Sequence, residues 1–239
     1  MISSQANKCV VSYKLYNWIK FNKLCWKNLS RNSQAIHLLE KNIDKIDWKH
    51  LSINSNAIHL LKNNMSKINW SWLSANYNAI DILENNSESI DWNLLSCNKN
   101  AISMLENNID KINWYWISSN PGAYKLIISN LDKIDWNTLS LNPNTIDILE
   151  NNINKINWSI LSFNPSAIQL LENNIEYINW NNLSRNYNAL HLLKNNQQKI
   201  VWSELSYNHN AIKLLKNNIQ KIDWHNISYN KNIFKKYYY

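Results

Sequence analysis

The chain has 239 residues, 45% of them apolar and 18% charged, with a formal net charge of +8. A single glycine excludes a Gly-rich phosphate loop, and three cysteines without a CxxC pair exclude a disulfide scaffold and a Cys-rich zinc site. No apolar run nears the ~18 residues of a membrane span, and the opening MISSQANKCVVSYKLYNWIKF has no secretory h-region.

The charge is uneven along the chain. Residues 1–29 hold five lysines and no acid, residues 225–239 hold three lysines and no acid, and the stretch between is neutral, with 17 basic and 17 acidic residues. Residues 1–23 form a basic N-terminal cap, with one helical stretch expected from Val10 to Phe21. The two basic ends are expected to keep the termini of the array soluble. They also supply a candidate basic patch for phosphate: Lys20, Lys23, Lys27, Lys231, Lys235 and Lys236.

From residue 24 to 230 the chain repeats. Trp recurs at 26, 48, 70, 92, 114, 136, 158, 180, 202 and 224, ten copies at a period of 22 with no insertion. Ser follows each Trp by four places and Asn by six, in all ten units. The Asn is expected to cap a longer helix, with Pro121, Pro143 and Pro165 at its first position. The run Ala57-Ile58-His59-Leu60-Leu61 has helical rather than alternating apolar spacing. Paired asparagines such as Asn63-Asn64 are expected to end that helix in the left-handed conformation. An Asp or Asn before most Trps then caps a shorter helix through Trp-x-x-Leu-Ser. Neither helix buries its apolar stripe alone, so the expected fold is an all-α solenoid of about ten two-helix units. A leucine-rich-repeat arrangement is the structural rival, but it wants an L-x-L alternation that Leu-Leu-Glu-Asn-Asn does not provide. One unit departs at 120–128, where Ile128 replaces the usual charge, suggesting a bend or an exposed apolar contact. Residues 231–239 read as a truncated basic and aromatic C-terminal cap.

The segment Ile-Asn-Trp-x-x-Leu-Ser-x-Asn-Pro-x-Ala-Ile-x-Leu-Leu-Glu-Asn-Asn at 156–174 resembles the 22-residue tryptophan repeats of uncharacterised proteins from giant DNA viruses of amoebae. The likeness spans about 26–232 and implies a viral protein in an intracellular setting, the host cytoplasm or a viral factory. It carries over no catalytic or binding residue. Separately, 47 Asn, 32 Ile and a Lys excess of 23 to 2 over Arg suit an A/T-rich genome.

Function is sought where the units differ. The repeat Trps sit at fixed places among Ile and Leu, as core residues do. Trp72 and Trp116 lie two after the repeat Trp, where other units carry Asn28, His50, Thr138 or Glu204. A place that accepts Glu faces solvent, and exposed aromatics favour partner surfaces. Tyr77 and Tyr187 at the Pro place, and Phe163 and Tyr207 just before the Asn, join them as candidate partner-binding residues. His37, His59 and Asp81 fall in one column, but stacked helices ~8–10 Å apart cannot bring three ligands within zinc's ~2 Å bonds. No metal or cofactor is therefore expected, and no converging set of side chains suggests catalysis. The expected function is a non-enzymatic scaffold for a protein partner. The alternatives are a nucleic-acid binder using the basic ends and a structural part of a virion or viral factory. The basic ends oppose simple head-to-tail stacking of arrays, since like charges would meet.

Overall fold

The computed structural model describes residues 11–238, with side chains for 14–235. Lys8, Cys9 and Val10 lie outside the described residues, as does the side chain of Lys236. Ten short Trp helices, from Trp26–Arg31 to Trp224–Ile227, alternate with nine helices of the Ile-x-Leu-Leu type, from Ile36–Glu40 to Ile212–Lys216. A single 3-10 turn such as Ile43–Lys45 leads from most of the latter into the next Trp helix. Helices of four to six residues are far below the length that stands alone in water, so the packing between units must hold them. In each unit the aliphatic residue three after the Trp is fully buried, as is the Ser beside it.

The bonds between units explain the invariant residues. Each repeat serine, as in Ser30, donates its hydroxyl to the carbonyl of its own Trp26 and accepts the backbone N–H of Asp47 in the next unit, at 2.9 and 3.0 Å. Each repeat asparagine reaches back. Asn54 donates through Nδ2 to the carbonyls of Ser30 and Asn32, at 2.8 and 3.1 Å, while its Oδ1 accepts the N–H of Asn56. These side chains are buried, and their polar atoms are satisfied across the unit boundary.

The two patterns do not stop at the last unit. Ser228 accepts the N–H of Cys25 at 2.9 Å, and Asn32 donates to the carbonyls of Ser228 and Asn230 at 3.3 and 3.4 Å. Unit one therefore bonds to unit ten as each unit bonds to its predecessor, and the solenoid closes on itself as a ring. Successive Trp helices approach one another more closely than successive Ile-x-Leu-Leu helices. In a closed ring that spacing puts the Trp helices on the inner circumference.

The ends are the main correction. The expected N-terminal helix is absent: Val11–Leu15 is a strand, β1, paired antiparallel with Phe234–Tyr238, β2. Phe234 stands ten after Trp224, where other units begin their outer helix, so this two-stranded sheet replaces the tenth outer helix. Residues 11–23 and 231–238 thus do not cap two separate ends. They clasp each other across the seam.

Three local expectations also change. Asn208 and Asn230 cap the 3-10 helices His209–Ala211 and Lys231–Ile233, but in the other units the repeat Asn does not cap a helix directly. It closes a turn two residues on, and the outer helix begins at Ile58 rather than beside Asn54, so the prolines sit in that turn. No described residue has positive φ. The second Asn of each pair ends the helix differently, as Asn64 at φ −140°, ψ 49°, its Nδ2 donating to the Leu60 carbonyl four residues back. The Asp or Asn before the Trp does cap the inner helix, as Asp47 accepting the His50 N–H at 3.0 Å. Only Cys25 and Val201 lack that bond.

Candidate functional site

With the invariant residues spent on the ring, the variable places on the Trp helices and the turns after them remain. The repeat Trps themselves are half-buried, and in most units a lysine of the following unit covers the indole. Lys155 lies 4.2 Å from the Trp136 ring centroid, and at the seam Lys23 of unit one lies 5.8 Å from that of Trp224. Tyr177 takes the lysine's place in one unit and stacks on Trp158 at 5.0 Å.

The place five after the Trp forms a stacked row. The Arg185 guanidinium lies 4.9 Å from the Phe163 ring and 4.1 Å from the Tyr207 ring. Tyr207 meets Tyr229 edge-on at 5.9 Å, and across the seam Arg31 lies 5.2 Å from Tyr229. Phe163, Arg185, Tyr207, Tyr229 and Arg31 are one place in five successive units, the last of them joined to the row only because the ring closes. Such Arg–aromatic stacks gain about 0.5–1 kcal/mol each at exposed sites. Arg185 also pairs with Glu204 at 3.7 Å. Tyr187 lies against His209 at 4.6 Å, adjoining the row.

Of the other candidates only Trp72 touches this row, through Arg31. Trp72 is half-buried and held by the His50 ring at 4.8 Å and by Arg31 at 5.3 Å. Trp116 is exposed, paired edge-on with Tyr115 at 5.1 Å. Tyr77 is exposed but tied down, its hydroxyl donating to Ser55 at 2.8 Å with Lys99 over its ring. Ile128 is exposed, as the departure at 120–128 suggested. His59 bonds Glu40 at 2.9 Å rather than His37. Among the described residues no three metal-ligating side chains converge, and no helix is long and apolar enough to cross a membrane.

Arg31, Arg185 and Tyr229 were missed in the sequence reading. The signal was present: both arginines of the chain occupy the same place in the unit. A second surface was missed too. Five before the Trp, on the 3-10 turn, most units expose an apolar side chain, from Phe21 and Ile43 to Ile109 and Ile219.

The basic ends come together. Lys14, Lys20, Lys23, Lys27, Lys231 and Lys235 all lie on the seam units or the clasp, and residues 11–33 and 225–238 contain no carboxylate side chain. Beside them lies a cavity of about 220 Å³ lined by Arg31, Asn32, Ser33, Tyr207, His209, Tyr229 and Lys231. Burial and the nearby Lys231 charge lower the pKa of His209 to about 4, so it is neutral at pH 7. Comparison with family profiles, curated proteins and solved structures gives no match to this chain.

Proposed function

We propose that this ring is a non-enzymatic scaffold that presents variable side chains to a protein partner. The setting implied by the giant-virus resemblance is a viral protein acting inside its host cell. The observation that carries the reading is the division of labour within each unit. Ser, Asn and the buried aliphatics hold the ring, while the continuous run of variable side chains on it is an aromatic–arginine row. Tyr and Arg are enriched among residues that dominate binding energy, and a stack already ordered before binding loses less entropy on association. The test is capture from host lysate with tagged ring, with and without nuclease. A defined protein should survive nuclease and be lost with Phe163→Ala/Tyr207→Ala, while Ile109→Ser retains it. A partner bound equally by the double variant would sink this assignment of the face.

The convergence of the basic ends favours a second reading, nucleic-acid binding at the clasp. It predicts affinity that falls steeply as salt rises, as counterion release requires, and capture that disappears with nuclease.

A further inference from the structure

We infer that the seam cavity is a binding site for a phosphate group, held by Arg31 and Lys231 beside the edge-on pair of Tyr207 and Tyr229. The cavity presents two cations and no carboxylate. Arg31 Nε is buried with no hydrogen-bond partner, and no ion pair to Arg31 is present among the described residues. Arg31 is half-buried and its guanidinium stacks on Tyr229 and Trp72, but a shielded donor left without an acceptor is costly, and a phosphate is the shape that the forked N–H groups of the guanidinium match.

The other arginine of the chain is an internal control. Arg185 occupies the same place in unit eight and meets Glu204, two after the next Trp. For Arg31 that neighbouring place holds His50. Behind Arg185 the preceding unit offers Pro165, whereas behind Arg31 it offers Lys231. The ring thus neutralises one arginine with its own carboxylate, and at the seam substitutes a second cation and a cavity. About 220 Å³ is below the size of pockets that enclose drug-sized ligands, so the ligand is inorganic phosphate or a small phosphomonoester. The neutral His209 imidazole on the wall can serve as a hydrogen-bond donor without adding charge. Because the walls come from the first and the last two units, the ligand should bind only the closed ring and should stabilise it. The site does not depend on the proposed protein partner.

The test is calorimetric titration of the full chain with inorganic phosphate, phenyl phosphate and acetate at fixed ionic strength, with thermal unfolding in parallel. Phosphate should bind at one saturable site and raise the melting temperature, and acetate should do neither. Tighter binding of phenyl phosphate than of phosphate would identify a monoester as the natural form; equal binding would identify the free ion. Lys231→Gln should weaken binding about tenfold, Arg31→Gln should abolish it, and Lys62→Gln on a distant outer helix should leave it unchanged. Absence of a saturable phosphate site overturns the proposal. So does a Lys231→Gln ring that binds as tightly as the unaltered one, a result that decides the matter even if Arg31→Gln does not fold.

Discussion

Ser118 bonds on both sides of a unit boundary: its hydroxyl donates to the Trp114 carbonyl at 2.6 Å and accepts the Asp135 N–H at 2.9 Å. Ser118→Ala leaves that N–H without a partner, and urea unfolding should show a loss of about 1–3 kcal/mol. Asn142 is more demanding, because its Nδ2 serves the carbonyls of Ser118 and Asn120 together. Asn142→Asp keeps the shape but turns a carboxylate oxygen toward two carbonyls. It should cost more than about 3 kcal/mol, and a ring as stable as the original would refute the donor role assigned to that amide. His209 gives a pH dependence of defined sign. Its pKa in the ring, about 4, lies below the ordinary 6.5, so the unfolded chain binds a proton that the ring does not. Its stabilising contribution is whole above pH 6.5, declines as the pH falls toward 4 and is then exhausted. Since the ring is partly solvated, the loss is about 1 kcal/mol after screening. His209→Gln should flatten the stability profile between those two values.

At the scale of the element, helices of one turn leave little room for error at their starts. Eight of the ten Trp helices begin with an Asp or Asn whose side chain accepts a backbone N–H, whereas Val201 has no oxygen to offer. Val201→Asp restores the common residue where its backbone N–H already bonds Ser184. It should stabilise the ring by about 0.5–2 kcal/mol in denaturant titration. No gain would mean that Val201 contributes packing equal to the missing cap. The clasp is a different element, formed by segments some 200 residues apart. The pairing of Leu15 with Phe234 covers the position where the tenth outer helix would stand. The periodic pattern begins after β1 and stops before β2, so nothing local announced the pairing.

At the scale of the molecule, an open array and a closed ring respond differently to a missing unit. In an open solenoid, removing one repeat subtracts one repeat and one interface. Here each unit supplies one tenth of the turn, and nine units must bend more sharply at every interface to close. Deleting residues 136–157 should expose the Cys25 amide to hydrogen exchange, because its bond to Ser228 no longer forms. The midpoint in urea should also fall further than loss of a terminal unit would require. A nine-unit chain with a fully protected Cys25 amide would show that the ring tolerates other sizes.

The period, the two helices of each unit and the burial of Leu, Ile and Ala were legible in the sequence, because apolar spacing fixes which face of a helix must be covered. The Ser and Asn were recognisable as structural from their tenfold recurrence, and the Asp and Asn caps from their place before the Trp. The full roles of the repeat Asn and the Asn pair were not, since the repeat Asn bonds the backbone of a neighbouring unit as well as its own turn, and the second Asn of a pair reaches back four residues. Of the candidate site, the aromatics were visible one by one, yet Phe163 and Tyr207 became a row only with Arg185 between them. Tertiary structure alone decided that the array closes, because closure depends on a small rotation per unit accumulated over ten interfaces. A sequence pattern records contacts within and between adjacent units, not the sum of their angles. That sum brings Arg31 to Tyr229, joins lysines from opposite ends of the chain and creates the seam cavity.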